Sequence, residues 1–292
     1  MKKLVEVFKF LISMILMFCF MAILVSMFTR NVLLSSEFYI NNLEKSDYFQ
    51  LLRSEIDYGF KNYSMVTSIP ESVFVQSVSD KDIKDLTINN IENTMEYIKA
   101  SREYVDVKLE TKALDENLQI FINNYAKENN MIINEELKKQ MEVVSKESSN
   151  IVNKHSIIFD LASVIKYREF QKFREGIFII YDKFLPLIIT TLILTIILIL
   201  VNIKTLYSSL LWVGGCFIAS SLMVIVPSIM GLLYKIPYRF GVGNDYLKVA
   251  LKEFALGYIN FFLMVGTIFF ITGILMLLIY SKAHRKKYIN SV

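Results

Sequence analysis

The sequence predicts an all-α integral membrane protein with four transmembrane helices and a helical extracytoplasmic domain inserted between the first and second. Four stretches without any charged residue carry this prediction: 10–29, 184–203, 205–234 and 254–281. Each reaches the roughly 20 apolar residues that a helix needs to cross the hydrocarbon core of a bilayer. The segment between the first two stretches is, by contrast, highly charged. Apolar residues make up 54% of the chain, which is more than one soluble core explains.

The uncharged stretches divide the chain into alternating parts. In order these are a cytoplasmic amino terminus (1–9), the first transmembrane helix (10–29), the extracytoplasmic helical domain (30–183), the second helix (184–203), a cytoplasmic turn (204–207), the third helix (208–234), an outer loop (235–253), the fourth helix (254–281) and a basic cytoplasmic tail (282–292). The abundance of Lys, Asn and Ile is typical of an AT-rich genome and indicates a bacterial plasma membrane protein.

The first stretch is predicted to remain as an anchor. It begins with Met-Lys-Lys, as a signal peptide does, but its apolar part is longer than a typical signal core. No small-x-small cleavage site follows it in residues 25–30. Cleavage is the alternative, and it would leave three spans with the charged segment still outside.

Basic residues next to the spans predict that both termini are cytoplasmic, because short loops rich in Lys and Arg stay on that side. This orientation puts one acidic residue inside, Glu6, against eight basic ones: Lys2, Lys3, Lys9, Lys204, Lys282, Arg285, Lys286 and Lys287. The last four form a tail that is expected to contact anionic lipid, with docking of a protein partner as the alternative. The outer loop has more basic than acidic residues and counts mildly against this orientation.

The charged segment is predicted to fold as a helical bundle. Ser79 precedes a helix with apolar residues at helical spacing, 112–128 forms a second amphipathic helix, and Asn134 caps a third. Pro70 begins a further short helix. Only 104–109 alternates like a strand, and one isolated strand does not make a sheet.

Helical spacing also continues beyond the first span and before the second, which predicts two helical stalks. Gly176 and Pro186 are the candidate bend points, since glycine weakens a helix and proline removes a backbone donor. A stalk that merely supports the outer bundle is the alternative to a hinge that transmits movement.

Small residues within the spans predict where helices pack. Gly215 and Ala219 form a small-xxx-small pair in the third span, and Gly266 and Gly273 recur in the fourth. Such residues let helix backbones approach closely in lipid. The contacts they predict lie within one bundle, or alternatively between two copies of the chain.

The sequence contains no recognisable catalytic, cofactor or metal motif. His155 and His284 are the only histidines and are predicted on opposite sides of the membrane, while Cys19 and Cys216 both lie in spans. No glycine-rich phosphate loop is present. The basic residues flank the membrane without a stacking surface, which argues against nucleic acid as a partner.

Three function classes therefore remain. The first is a noncatalytic membrane protein whose outer domain binds or senses a protein partner, forms a homo-oligomer, or serves as a subunit of a membrane complex; its ligand is not readable. The second is a transporter or channel component, whose uncharged pathway would be lined by Asn202, Asn260, Thr190, Thr191, Thr195, Thr267 and Thr272. The third is a membrane enzyme acting on lipid or peptide, with Lys235, Tyr238, Arg239 and Asp245 as candidate headgroup contacts.

Overall fold

The fold is known from a computed structural model, which describes residues 2–100, 102–130, 132–203 and 206–289. Helices make up 84% of it and the described residues contain no strand, so the predicted all-α class is confirmed. The α-helices are α1 (Lys2–Phe28), α2 (Ser36–Glu44), α3 (Tyr48–Thr67), α4 (Glu71–Ser77), α5 (Asp80–Ile98), α6 (Lys112–Glu128), α7 (Glu135–Ser156), α8 (Leu161–Val164), α9 (Arg168–Asp182), α10 (Phe184–Val201), α11 (Leu206–Leu233) and α12 (Asp245–Ile289). A π-helical turn, Thr29–Leu33, follows α1, and a 3₁₀ turn, Ile236–Tyr238, follows α11.

The chain forms two compact units. The apolar unit comprises Met1–Phe38, Phe173–Phe240 and Leu251–Val292, and the charged unit comprises Tyr39–Lys172 and Gly241–Ala250. The segment predicted as one outer loop, 235–253, is thus divided between the two units.

Four helical segments among the described residues are long and apolar enough to cross a membrane, and each lies wholly or mainly in the apolar unit. They are Val5–Leu33, Phe184–Val201, Leu206–Leu233 and Asp245–Arg285. α1 packs against both α10 and α11. Leu16 and Leu198 are fully buried at this junction. The ring of Phe217 lies 4.2 Å from that of Phe20 and 5.0 Å from that of Phe269, so aromatic side chains join α1, α11 and α12.

Glycine contacts hold α11 against α12. A Cβ added at Gly273 would lie 2.8 Å from the carbonyl oxygen of Gly214, so only glycine permits this approach. Gly266 likewise faces Ile225 of α11. Gly215 borders open space instead, and Ala219 is partly exposed. The contact face of α11 therefore runs through Gly214, one position before the glycine singled out in the sequence.

The core of the charged unit is organised around α3. Tyr48, Leu52, Ile56 and Phe60 recur at helical spacing on this helix and are fully buried. α3 packs against α4, α5 and α7. Since one continuous apolar stripe contacts three helices, α3 is the central element of this unit.

Local capping determines where two of the peripheral helices begin. Ser79 and Asp82 form a reciprocal capping box at the start of α5, with Ser79 N donating to Asp82 Oδ2 at 2.9 Å. Asn134 Oδ1 accepts from Leu137 N at 2.9 Å and caps α7. These hydrogen bonds satisfy amides that the first helical turn leaves free.

Residues 104–109 form neither helix nor strand in the described part of the chain. Side-chain amides hold this segment at two points. Asn93 exchanges hydrogen bonds with Val105, and Asn153 Oδ1 accepts from Leu109 N at 2.8 Å. These asparagines pair backbone groups that would otherwise need another partner.

The predicted bend points lie in regular helix. Gly176 is inside α9 and Pro186 is in the first turn of α10, where proline is tolerated. The chain leaves regular helix between them, at Lys183. The hinge therefore stays a prediction, and Lys183 is a third candidate position for it.

The predicted tail and turn are only partly described. α12 extends through the tail, with Lys282 and Arg285 exposed. The side chains of Lys286 and Lys287 lie outside the described part, as do residues 204 and 205 of the predicted cytoplasmic turn.

Candidate functional site

A groove in the charged unit lies between the end of α3 and the pair α6 and α7. Its volume is about 670 Å³, which is the size of a small-molecule or side-chain binding site. Its lining is mostly apolar: Ile69, Leu118, Phe121, Ile122, Tyr125, Leu137, Met141, Val143 and Val144, with Thr67, Ser68, Glu136, Lys139 and Gln140 as the polar members. We call this set the α6–α7 groove.

The end of α3 is a sharply defined wall of the α6–α7 groove. α3 ends because Ser68 adopts a left-handed backbone conformation, with φ of 58°. The amide of Ser68 donates to Ser64 O at 2.9 Å, and Ser64 Oγ donates to Ile69 O at 2.6 Å. These bonds hold the chain as it turns into Pro70 and α4.

α7 forms the opposite wall of the groove, and the burial of its side chains changes along the helix. In the second half of this helix, small residues are buried, including Ser145, Ser148 and Ser149. Small side chains permit close packing, as shown by Gly59 of α3, where an added Cβ would lie 2.7 Å from Ile151 Cγ2. In the first half, Leu137, Met141 and Val144 are only partly buried, so the groove opens there.

Two large side chains at the groove are strongly exposed. Tyr125 is 50% exposed and Val143 is 59% exposed, although both line an apolar depression. The ring of Tyr125 stacks on Phe121 with centroids 6.1 Å apart. Next to the groove in sequence, Val66 is 82% exposed. Contiguous exposed apolar surface of this kind marks interaction sites on soluble domains.

Only two of the residues that line the groove are charged. Glu136 and Lys139 supply one negative and one positive charge among the lining residues. A smaller groove of about 340 Å³ shares Leu118, Ile122 and Met141 with the first. α6 and α7 therefore present two adjoining grooves, of which the larger is mostly apolar and the smaller is lined by Asp115, Gln119, Asn123, Lys138 and Glu142 beside its apolar residues.

Within the charged unit, a small group of polar side chains joins the end of α7 to residues 241–250. His155 Nδ1 lies 3.1 Å from the hydroxyl oxygen of Tyr246, and Asn244 Nδ2 donates to the same oxygen at 3.2 Å. The ring of Tyr246 also packs edge to face on Tyr48 at 5.8 Å. Burial lowers the pKa of His155 from its ordinary value, which favours a neutral imidazole here.

Four of the five hydroxyl groups proposed for a transport pathway bond to their own helices. Thr190, Thr191 and Thr195 donate to carbonyl oxygens one turn earlier, at 2.9, 2.7 and 2.8 Å. Thr272 does the same in α12, and Asn202 Nδ2 donates to Leu198 O. These donors are therefore already satisfied within the helices that carry them.

The four residues proposed for a headgroup-processing enzyme have other neighbours. Asp245 forms an ion pair with Lys248 at 2.8 Å, and the ring of Tyr238 lies 5.9 Å from Lys252 Nζ. Lys235 and Arg239 flank the 3₁₀ turn. No cluster of three or more metal-ligating side chains occurs among the described residues. No protein-family model, curated protein or solved structure matches the chain.

Proposed function

We propose that the chain is a noncatalytic, multi-pass bacterial plasma membrane protein whose extracytoplasmic charged unit binds a protein partner in the α6–α7 groove. The four long apolar helices support membrane insertion, and the basic tail supports cytoplasmic termini. The groove is the observation that carries the binding role. It combines a ligand-sized volume with the exposed side chains of Tyr125 and Val143.

The partner segment that suits this groove is a short amphipathic helix. A groove bordered by helices accepts the apolar face of another helix, whose side chains fill depressions spaced by one turn. Glu136 and Lys139, the charged residues of the lining, then favour a partner that carries the opposite charges on its polar face. Each Å² of apolar surface that is removed from water contributes about 25 cal/mol to the stability of such a complex, before the cost of association.

The experiment places a photocrosslinking amino acid at Tyr125 or at Val143 in cells that express the full chain. The matched control is Tyr58, which is 62% exposed on α3 of the same unit but does not line the groove. We expect one adduct of defined mass from both groove positions and none from the control position.

Substitutions test whether the adduct forms in the groove. Val143→Glu should abolish crosslinking from position 125, whereas Tyr58→Glu should leave it unchanged. Because both side chains are exposed, neither substitution is expected to disturb folding, which circular dichroism checks. Equal crosslinking from all three positions, or none from the groove, would contradict the proposal. An adduct of less than about 1 kDa would indicate a small molecule in place of a protein.

A further inference from the structure

A second groove lies in the apolar unit, between α1, the end of α9 and the beginning of α10. Its volume is about 420 Å³. It is lined by Phe18, Met21, Ala22, Val25, Ser26, Ile179, Ile180, Lys183 and Leu187. We call it the α1–α10 groove. Its walls are almost entirely apolar, and Lys183 is the single charged residue among them.

Two hydrogen bonds join the first span to the end of α9 at this groove. Ser26 Oγ, in the lining, donates to Ile180 O at 2.7 Å, so this hydroxyl is satisfied and buried. One turn later, in the π-helical turn that follows α1, Arg30 Nη1 donates to Tyr181 O at 3.0 Å. The guanidinium of Arg30 is therefore held at the residue that follows Ile180 of the lining.

Arg30 is a half-buried cation that lacks an anionic partner among the described residues. Its guanidinium lies 4.6 Å from the ring centroid of Tyr181 and 5.2 Å from that of Phe184. These rings orient the guanidinium plane. One of its five N–H donors is used by the carbonyl, and the others are available to an acceptor.

Lys183 adds a second positive charge. Its Nζ lies 2.8 Å from Asp182 Oδ2, but the two side chains are 65% and 49% exposed. An exposed ion pair of this kind contributes little free energy to folding. The ammonium group can therefore leave this carboxylate and bind a phosphate with little loss of stability.

We propose that the α1–α10 groove binds one acyl chain of an anionic glycerophospholipid, with its phosphate on Arg30 and Lys183. Two observations favour this occupant. The apolar walls fit a hydrocarbon chain, and Lys183 in the lining together with Arg30, bonded to the nearby residue Tyr181, supplies two positive charges for a phosphate diester. Arginine recognises phosphate through paired N–H donors, and lysine adds a point charge to such a site. The inference rests on the proposed insertion of the apolar unit into a bilayer.

The test is lipid binding by the full-length protein in detergent, measured by native mass spectrometry with dioleoyl phosphatidylglycerol or dioleoyl phosphatidylcholine. We expect phosphatidylglycerol to bind at least about tenfold more tightly than phosphatidylcholine. R30Q with K183Q should remove this preference, and R30K with K183R should retain much of it. Inorganic phosphate at equal concentration should not compete, because it lacks the acyl chain.

Steric variants test the groove itself. Ala22→Phe fills the groove and should abolish phosphatidylglycerol binding. The matched control, Ile189→Phe, adds an aromatic ring at a 51% exposed position of α10 outside the groove and should leave binding unchanged. K61Q, at an exposed position of α3 in the charged unit, is the matched charge control. Equal phosphatidylglycerol binding by the wild type, R30Q/K183Q and A22F would overturn the proposal. Membrane insertion is tested separately: release of the chain from membranes by alkaline carbonate would overturn it.

Discussion

Adjacent glycines of α11 have opposite surroundings, although they look alike in the sequence. Gly214 is buried against the backbone of Gly273, and Gly215 borders open space. A small-xxx-small spacing shows that a helix has a face of small residues, but not which face meets a partner. The choice depends on the rotation of α11 about its axis, which α1 and α12 determine together.

Substitution of Gly273 should therefore be costly, and substitution of Gly215 should not. A Cβ at 273 would lie 2.6 Å from Ile218 Cγ1, so G273A is expected to cost about 1–3 kcal/mol through overpacking. G215A adds its methyl group to open space and gains helix propensity. Thermal unfolding of both purified variants in one detergent checks this difference. Equal midpoints for the two variants would contradict the assigned contact.

His155 predicts a pH dependence of stability. Burial lowers its pKa below 6.5, the nearby charge of Glu55 opposes this shift, and that of Lys154 reinforces it. The unfolded chain therefore binds a proton at higher pH than the folded protein does. This contribution to stability is fully present above about pH 6.5 and is lost as the pH falls toward the folded-state pKa.

The measurement is the thermal midpoint of the full-length protein between pH 8 and pH 5. H155Q should weaken the loss of stability on acidification, while His284→Gln, the matched control, should leave it as in the wild type. A pH profile unaltered by H155Q would assign the loss to other groups.

At the scale of elements, local signals predicted α5, α6 and α7 well. The start of α5 at Ser79 and that of α7 at Asn134 follow from side chains that bond to amides three residues later. α6 spans Lys112–Glu128, the range that its apolar spacing predicts. The groove between α3, α6 and α7 was not predictable, because Ile69 and Met141 are distant in sequence and no periodicity reports their proximity.

The capping box of α5 gives a prediction at this scale. Ser79→Ala should lower the free energy of unfolding by about 1 kcal/mol, because the amide of Asp82 loses its acceptor. Ser54→Ala is the matched control, since Ser54 Oγ only donates to the carbonyl of Gln50 on an exposed helix surface. Chemical denaturation monitored by circular dichroism compares the two. A larger loss from S54A than from S79A would show that the cap contributes little.

At the scale of the whole molecule, sidedness is the property on which both binding proposals depend. The only cysteines, Cys19 and Cys216, can be replaced to give a background without thiols. Glu116→Cys or His284→Cys then places one exposed thiol in the charged unit or in the tail.

We expect a membrane-impermeant maleimide to label position 116 in intact cells and position 284 only after permeabilisation. We expect this result because Lys and Arg next to a membrane span generally keep that segment on the cytoplasmic side. Detergent-solubilised protein, in which both thiols should react, controls for local accessibility. Labelling of position 284 alone in intact cells would invert the topology.

The sequence by itself determined the helical class, the four apolar helices and several helix starts. These properties depend on composition and on neighbours within one or two helical turns, so local residues suffice to specify them. The tertiary structure alone decided that Gly214 meets Gly273, that residues 241–250 belong to the charged unit, and that Arg30 bonds to Tyr181, next to a groove that Lys183 lines. Those features depend on how distant helices are rotated and packed against each other, which no spacing within a single helix encodes.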